Sequence, residues 1–346
     1  MQFNKSLIAW YSVNKRELPW RNTKEPYYIW LSEIILQQTQ VKQGLPYYEA
    51  FVHQYPTVFE LANAKEEAVL KLWQGLGYYS RARNLHATAK YVAVELDGIF
   101  PDNYTDLLKL KGVGDYTASA IASFCFNEVA AVLDGNVYRV LSRYYGIHTP
   151  INSTEGKKVF KALANDAIDI ENPAEYNQAI MEFGAIQCKP SGPDCLICPL
   201  IESCAAYRKN EISILPVKIK NKKPKNKYFN FLVYISDSDK TVIEKRVGKG
   251  IWQNLYQFPL METEKSIDET EFLKRLNSVE SFQDVTLFNS VDIVHKLSHQ
   301  HLHTKFWIIK TQELPEKGTD ISQIEDYAVP VLIKNFIEEF NFEYEI

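Results

Sequence analysis

Apolar residues recur at three- and four-residue intervals through most of residues 1–210, a spacing that places them on one face of an α-helix. Glycine and proline separate these segments, and strand-like alternation is scarce. Residues 1–210 are therefore predicted to form an all-helical domain. The predicted helical segments are YIWLSEIILQQTQV (28–41), EEAVLKLWQGLG (66–77), SRARNLHATAKYVAVEL (80–96), YTASAIASFCF (116–126), NVYRVLSRYYG (136–146) and EYNQAIMEFGAIQC (175–188).

The pattern changes after residue 210. Residues 211–227 are basic and contain proline, so they are interpreted as a linker. Residues 228–346 mix strand-like and helical patterns and are predicted to form an α+β domain. The strand candidates are YFNFLVYIS (228–236), KTVIEKRV (240–247) and SVDIVHKLSHQHLHTKFWIIK (290–310), and the helix candidates are 268–279 and 330–340.

Composition narrows the class of protein. A chain of 346 residues with 46% hydrophobic and 24% charged residues can bury two domain cores, which excludes disordered and disulfide-stapled classes. No apolar run approaches the ~18 residues of a membrane span, and no secretory signal is visible. We therefore expect a soluble, cytoplasmic protein. Residues 1–227 carry a net charge of +4 and the remainder −8, so a polyanion site is expected in the first part.

Four of the five cysteines are crowded into one short segment with the spacing C-x6-C-x2-C-x5-C. Prolines and glycine between them exclude regular helix or strand, so a bound metal centre is expected to hold the segment. The single CxxC with longer flanking spacers favours a 4Fe–4S cluster without excluding zinc. The candidate ligands are Cys188, Cys195, Cys198 and Cys204. Cys125 lies in an apolar run and is interpreted as a buried thiol.

A second motif suits phosphate binding. LKLKGVGDYTASAIASF places Gly112 and Gly114 in a turn that opens onto a helix, and the two glycines are expected to allow positive φ. The first backbone amides of that helix would then face a DNA phosphate without reading sequence. A GxG before a helix is weak evidence alone. The predicted helix-hairpin-helix spans about residues 107–127.

Several longer motifs occur in a family-specific order. LKGVG (110–114), LDGNVYRVLSR (133–143) and the four cysteines resemble the helix-hairpin-helix DNA glycosylases with an iron–sulfur loop at 188–204. WLSEIILQQTQV (30–41), GLGYYSRARN (75–84) and LPWR (18–21) are similar to the adenine DNA glycosylase, or MutY, branch. The resemblance covers residues 7–210. It implies a 4Fe–4S cluster on the four cysteines and a monomer, nucleoid-associated in a bacterium, that removes adenine mispaired with 8-oxoguanine or guanine in duplex DNA.

Two carboxylates carry the predicted chemistry. Glu33 shares a helical face with apolar residues, and burial there would raise its pKa and leave a proton to donate. The resemblance implies that Glu33 protonates adenine N7, because the adenine anion is a poor leaving group. Asp134 precedes a helix, and an N-cap position is expected to keep it ionised. The resemblance implies that Asp134 stabilises an oxocarbenium-like sugar, supported by Asn136 and Tyr116.

The position of Tyr116 also bears on strand cleavage. Bifunctional relatives such as endonuclease III carry a lysine there, which forms a Schiff base with the sugar. Lys111 lies on the other side of the two glycines of the turn. A monofunctional glycosylase is therefore predicted.

The resemblance further implies residues that contact the two bases, since an enzyme that acts on a base must take it out of the helix. Gln38 and Tyr78 match residues that wedge into the duplex near 8-oxoguanine, although Tyr78 as an ordinary core aromatic is an alternative. Apolar faces with a few edge hydrogen bonds suit a flat base. The candidate adenine-pocket residues are Arg16, Leu18, Trp20, Arg21 and Gln178.

In the second domain, HKLSHQHLH (295–303) is similar to the family's H-x-F-S-H loop, which contacts 8-oxoguanine. Ser298 and His299 are candidate lesion contacts, but Leu297 replaces the usual aromatic residue and puts stacking there in doubt. Alternating histidines in this segment leave a metal site or a solvated strand as alternatives. The domain resembles a Nudix fold without the motif of its hydrolases, so recognition is predicted rather than diphosphate hydrolysis.

Three other functions are weighed against this prediction. A glycosylase/lyase for oxidised pyrimidines is opposed by Tyr116 and by the long C-terminal domain. A non-catalytic iron–sulfur DNA-binding protein is opposed by the presence of both Glu33 and Asp134. A Nudix hydrolase lacks its motif.

Overall fold

The computed structural model describes residues 2–220, 223–276, 282–340 and 342, and the chain forms two compact units. The first unit holds the described residues up to 63 and from 84 to 220. The second unit holds residues 64–83 together with the described residues from 223 onward. The predicted boundaries at 210 and 228 stay a prediction, but the inclusion of residues 64–83 in the second unit was not expected from the sequence.

The described residues 2–220 are helical, as predicted, and contain no strand. A 3₁₀ turn occupies Pro19–Arg21, and wider π-type turns occupy Phe183–Gln187. The helices are α1 (Gln2–Asn14), α2 (Pro26–Ile35), α3 (Val41–Gln54), α4 (Val58–Asn63), α5 (Glu66–Leu72), α6 (Ser80–Glu95), α7 (Tyr104–Leu107), α8 (Asp115–Phe126), α9 (Gly135–Tyr145), α10 (Thr154–Ala167), α11 (Pro173–Glu182) and α12 (Ala205–Arg208).

Two predicted helices end earlier than their apolar pattern. The helix predicted over 28–41 ends at Ile35, because Gln38 takes a left-handed backbone with φ +55°. The helix predicted over 66–77 ends at Leu72, before Gly75 (φ +103°) and Gly77 (φ +71°). In the second turn the apolar spacing continues because Trp73 and Leu76 are buried although neither is helical.

The core of the first unit forms around α8, α9 and α11. Small buried residues of α8 allow it to pack closely on α2 and α11: Ala118, Ser119, Ala120, Ala122 and Ser123. α9 is strongly amphipathic, begins at the N-cap Asp134 and ends at Gly146 with φ +69°. Buried side chains such as Phe160 join the same core, and each contributes roughly 1.5–3 kcal/mol. This packing fixes the N-termini of α8 and α9.

The second unit is α+β, as predicted. Its main sheet has the order β5-β1-β8-β6, with β7 also paired to β8, and the β1–β8 pair is parallel. The strands are β1 (Lys225–Ser236), β2 (Lys240–Thr241), β3 (Glu244–Lys245), β4 (Tyr256–Gln257), β5 (Leu260–Thr263), β6 (Asp284–Leu287), β7 (Ile293–Lys296), β8 (Gln300–Thr311) and β9 (Thr319–Asp320), and the helices are α13 (Glu269–Leu276) and α14 (Val331–Phe340).

Helices cover both faces of this sheet. On one face Phe272 of α13 stacks on Trp307 of β8, with ring centroids 4.0 Å apart. On the other face Phe336 of α14 stacks on Phe306 at 4.0 Å. Adjacent residues of a strand point to opposite faces, so Phe306 and Trp307 serve one core each. The continuous apolar run of β8 follows from this double coverage.

Two strand predictions were too long. The segment 240–247 forms the two short strands β2 and β3, and 290–310 divides into β7 and β8 around a turn at 297–299. In that turn Leu297 N donates to Gln300 O at 2.9 Å. Positions 277–279 of a predicted helix, and 221–222 of the predicted linker, lie outside the described residues.

Residues 64–83 are tied to the second unit by hydrogen bonds. Asn254 donates to Glu66 at 2.6 Å, and Arg83 donates to the carbonyl oxygen of Gln253 at 2.8 Å. The backbone of Val329 donates to Gln74 at 3.3 Å. These hydrogen bonds explain why residues 64–83 belong to the second unit, whose other described residues begin at 223. Across the described ranges, every helix falls short of the length or apolarity that crossing a bilayer requires.

Candidate active site and cysteine loop

Glu33 lies on α2, a helix that is buried along almost its whole length. Its residue exposure is 6%. Burial raises the pKa of Glu33 to about 7, assisted by the negative charge of Asp134, while the Tyr116 hydroxyl group and Arg21 lower it. Burial dominates because a desolvated carboxylate is costly. A substantial fraction of Glu33 is therefore protonated near neutral pH.

Asp134 is the N-cap of α9. Its Oδ1 accepts the backbone N–H groups of Asn136 at 2.9 Å and Val137 at 2.7 Å, and the Asn136 Nδ2 donates to Oδ2 at 2.8 Å. Burial raises the pKa of Asp134, against these hydrogen bonds and the charge of Arg139, which lower it. An N-cap alone would lower the pKa, so the net direction differs from the sequence-based expectation. The three donors nevertheless favour the ionised form.

Tyr116 lies in the first turn of α8 between the two carboxylates. Burial raises its pKa well above the usual value, and the charges of Glu33 and Asp134 raise it further. Its hydroxyl group also lies 3.9 Å from the Met181 sulfur. The side chains of Glu33, Tyr116 and Asp134 therefore meet in one place within the first unit, although they come from three different helices.

A cavity adjoins Glu33. It brings together the predicted adenine-pocket residues Trp20, Arg21 and Gln178. Apolar side chains complete the lining: Ile29, Phe124 and Met181. An apolar cavity with a few polar groups is the arrangement that suits a planar base.

Two other predicted pocket residues lie elsewhere. Arg16 lines the adjoining outer cavity with Tyr11 and Lys15, and its guanidinium group is paired with Glu182, so it is not the solvated loop arginine that its type suggests. Leu18 is buried just before the 3₁₀ turn. Leu18 lines neither of the two cavities, as far as the described residues show.

Glu182 was not predicted. Its side chain is 1% exposed and pairs with both Arg16 and Arg21, with closest N–O distances of 2.7 and 2.8 Å. Burial raises its pKa, but the hydrogen bonds from the two arginines outweigh burial and lower the pKa to about 2. Glu182 stands four residues after Gln178, on the same helical face. This four-residue spacing was the only indication in the sequence that Glu182 lies near the pocket. Its partners, Arg16 and Arg21, lie 166 and 161 residues away in the chain.

Both predicted wedge residues have a left-handed backbone, each described within its own unit. Gln38 has φ +55° in the first unit, and Tyr78 has φ +48° in the second. Such values are uncommon outside glycine and concentrate at functional sites. Tyr78 is 48% exposed, so it is not a core aromatic. Its ring lies 5.7 Å from the guanidinium carbon of Arg81.

Tyr78 shares a cavity of about 440 Å³ with Ser298 and His299, wholly within the second unit. The volume lies in the range of small-ligand pockets. Leu297 and Trp252 add apolar surface, and Ser298 Oγ lies 3.1 Å from His299 Nδ1. Within the described residues, no group of three or more histidine, cysteine or acidic side chains is placed to hold a single metal ion.

The predicted phosphate turn has one glycine with a positive φ rather than two. Gly112 has φ +82°, and a Cβ there would lie 2.8 Å from Asn84 Cβ, so a side chain is excluded. Gly114 has φ −98° and is the N-cap of α8, without a side-chain cap. The expectation of positive φ was wrong for Gly114. The uncapped amides at the start of α8 are available to an anion.

The four cysteines line one cavity in the first unit. Four thiols around one cavity form a donor set that fits a 4Fe–4S cluster and also a structural zinc ion. Arg143, buried on α9, donates to Cys188 Sγ at 3.4 Å and to the Lys189 carbonyl oxygen at 2.7 Å.

The comparisons with known proteins follow the same division of the chain. A family model described as HhH-GPD superfamily base excision DNA repair protein matches residues 31–165, and one described as NUDIX domain matches residues 230–339. The adenine DNA glycosylase of Buchnera aphidicola subsp. Baizongia pistaciae (strain Bp) is 39% identical over 312 residues, covering 89% of this chain and 86% of that relative. The chain belongs to the adenine DNA glycosylase family.

Human and plant members extend the comparison. The human adenine DNA glycosylase is 43% identical over 218 residues, which cover 60% of this chain and 40% of that relative. The Arabidopsis thaliana relative is 34% identical over 310 residues, covering 78% and 49%. The chain is therefore a DNA glycosylase, an enzyme of base excision repair. The family predicted from the sequence is confirmed.

Solved structures confirm the fold of the helical part. A thermostable thymine-DNA glycosylase has a TM-score of 0.56 and 29% identity, covering 60% of this chain and 95% of that chain. An endonuclease III–DNA complex has a TM-score of 0.52 at 22% identity, covering 60% and 94%, and shows the fold alone. The predicted fold class is confirmed, whereas the roles of individual residues stay predictions.

Proposed function

We propose that this enzyme hydrolyses the N-glycosidic bond of adenine opposite 8-oxoguanine or guanine in duplex DNA, as a monofunctional monomer acting on intracellular DNA. The observation that carries the proposal is that a partly protonated Glu33, which lines the cavity, lies close enough to Asp134 for the two charges to interact. Two carboxylates in different environments are the usual solution to glycoside hydrolysis.

Glu33 supplies the proton. A carboxylic acid with a pKa of about 7 holds its proton at neutral pH yet releases it readily. Protonation of adenine N7 converts the base from a poor leaving anion into a neutral one. The cavity lined by Trp20, Arg21 and Gln178 would hold the base beside this group.

Asp134 supplies the negative charge. Three hydrogen bonds fix its carboxylate, so little reorganisation is needed as positive charge develops on the sugar. Asn136 orients Asp134 through its side-chain amide, and water completes the hydrolysis. Because Tyr116 offers no amine to form a Schiff base, the strand is expected to remain intact.

DNA contacts follow from the same structure. The uncapped start of α8, with Gly112 and Gly114, would accept a backbone phosphate. Gln38 and Tyr78 would fill the space that the extruded adenine leaves in the helix. The second unit would bind 8-oxoguanine in the cavity of Tyr78, Ser298 and His299. Serine and histidine offer the donor and acceptor groups that distinguish 8-oxoguanine from guanine.

The cysteine loop completes the proposal. Cys188, Cys195, Cys198 and Cys204 would hold a 4Fe–4S cluster, which cross-links the loop through four iron–sulfur bonds when bound. Arg143 orients the first of these cysteines. Arg139 ties the Cys188 carbonyl oxygen to the Asn136 side chain, with hydrogen bonds of 2.8 Å to each.

Substrate and mode of cleavage are tested by single-turnover assays on duplexes with adenine opposite each base. We expect excision opposite 8-oxoguanine and guanine, with strand breaks only after alkali treatment. Equal strand breakage without alkali would contradict the monofunctional assignment. Equal rates opposite all four normal bases would contradict the mispair specificity.

Lesion recognition is tested by Ser298→Ala and His299→Ala. We expect each to reduce the preference for 8-oxoguanine over guanine opposite adenine about tenfold, because one hydrogen bond to the lesion is lost. Ser290→Ala, an exposed serine of the same unit, is the matched control. An unchanged preference in both variants would exclude this cavity as the lesion site. Point variants are preferable to deletion of 228–346, which would strip the partners of residues 64–83.

A further inference from the structure

Glu182 is a buried carboxylate that the proposed chemistry does not use. Its two oxygens accept hydrogen bonds from the Arg16 backbone N–H at 2.9 Å, and from Arg16 Nε and Nη2 at 2.7 Å each. They also accept from Arg21 Nη1 at 3.2 Å and Nη2 at 2.8 Å. A carboxylate has about four acceptor positions. The protein therefore already satisfies Glu182, which leaves it no capacity to bind a base.

The location of Arg21 creates an electrostatic conflict. Arg21 lines the cavity that Glu33 also lines, and its positive charge lowers the pKa of Glu33. A cation beside a buried carboxylic acid favours loss of the proton. An arginine in the adenine pocket would thus favour the ionised form of Glu33, which has no proton to donate.

We propose that Glu182 is a positioning residue that keeps Glu33 able to donate a proton, because it offsets the charge of Arg21 and fixes both guanidinium groups. The inference rests on the proposed function, in which Glu33 is the general acid. Glu182 acts through Arg21 and touches neither base nor sugar. It therefore sets the pH range of the reaction.

The other groups around Glu33 do not replace this effect. Tyr116 and Cys125 face it from α8, and Asp134 faces it from the start of α9. α3 contributes Tyr48, whose ring packs on Trp20 with centroids 5.0 Å apart. Among the described residues whose charge acts on Glu33, Arg21 is the cation. The anion bonded to that cation is Glu182.

The test is the pH dependence of single-turnover adenine excision opposite 8-oxoguanine, with the full chain carrying its cofactor. Wild-type rate should fall as pH rises through the pKa of Glu33. In Glu182→Gln, which keeps size and shape, the fall should occur about one pH unit lower, as expected for an uncompensated neighbouring cation. The rate at pH 8 should then drop about tenfold further, while rates at pH 5.5 stay within about threefold of wild type.

Two further variants separate charge from structure. Glu182→Asp keeps the charge and should keep the wild-type profile. Glu182→Gln combined with Arg21→Gln removes one charge of each sign. The pH at which the excision rate falls should therefore return towards the wild-type value, whatever the overall rate. If Glu182→Gln does not fold, Arg21→Gln alone carries the test, and its fall should move to higher pH.

A uniform loss of rate at every pH, with the position of the fall unchanged, would overturn the inference and leave Glu182 as a structural residue. The inference would also be overturned if the excision rate of Arg21→Gln fell at the same pH as that of the wild type. These outcomes differ from a failure of the proposed function, in which the wild type itself would release no adenine or show no fall at alkaline pH.

Discussion

At the scale of single residues, the environment decides what a carboxyl group does. Glu33 is surrounded by apolar side chains and holds a proton near neutral pH, whereas Asp134 accepts three hydrogen bonds that favour its charge. The sequence predicted both residues through motifs. It did not predict Glu182, because the arginines that pair with it come from a segment distant in the chain.

Burial of Glu33 has a cost in stability that depends on pH. Its pKa is raised from 4.5 to about 7 on folding, so between these values the folded state holds a proton that the unfolded state has released. Stability therefore falls as pH rises through this range. Glu33→Gln removes the effect and should be more stable than wild type at pH 8, by on the order of 2–3 kcal/mol, with a smaller gain at pH 4.5.

Denaturant unfolding at the two pH values measures this gain. Glu49→Gln, an exposed glutamate on α3, is the control and should show little difference. A Glu33→Gln variant with equal or lower stability at pH 8 would show that Glu33 is not held in a raised-pKa environment.

At the scale of elements, α9 connects the carboxylate to the cysteine loop. Asp134 caps the helix, and Arg139 and Arg143 follow at four-residue spacing on one face, towards Cys188. The helical pattern of 136–146 predicted this element well, because its amphipathicity is local. The π-type turns at 183–187 were missed, since a widened turn keeps the same apolar spacing.

The close approach of these two elements gives a prediction. A Cβ on Gly184 would lie 2.6 Å from Asn136 Cβ and 3.0 Å from its carbonyl oxygen. Gly184→Ala should therefore displace the start of α9, lower the excision rate at least tenfold and destabilise the fold by about 1–3 kcal/mol. Single-turnover rate and denaturant unfolding are the measurements.

Gly135→Ala is the matched control, because a Cβ there meets nothing within 4 Å. It should fold and excise adenine at close to the wild-type rate. A Gly184→Ala variant with the same rate as Gly135→Ala would mean that the position of Asn136 tolerates the shift, against the proposed orienting role.

At the scale of the whole molecule, the sequence predicted a helical part followed by an α+β part, and the structure confirms both. The boundary between the two parts is marked by a change in the apolar pattern, from residues three and four apart to alternating residues. The assignment of residues 64–83 to the second unit was not visible, because helix α5 has an ordinary helical pattern and its partners lie beyond residue 223. Contacts between residues so far apart in the chain do not affect the local spacing of apolar residues.

The cysteine loop yields a prediction for the whole protein. The purified chain should be brown and contain close to four iron and four sulfide per molecule, as the cluster stoichiometry requires. Cys198→Ser should lower both contents and destabilise the loop, whereas Cys125→Ser, outside the loop, should leave them unchanged. One equivalent of zinc with no sulfide would contradict the cluster assignment.

The central claim is that a protonated, buried Glu33 and a charged Asp134 act on the same nucleotide. It is tested most directly by single-turnover adenine excision with Glu33→Gln, together with binding of the same mispaired duplex. We expect excision to fall by about 10²–10⁴-fold, the usual contribution of a general acid, while duplex binding is retained. Near-normal excision by Glu33→Gln would contradict the claim.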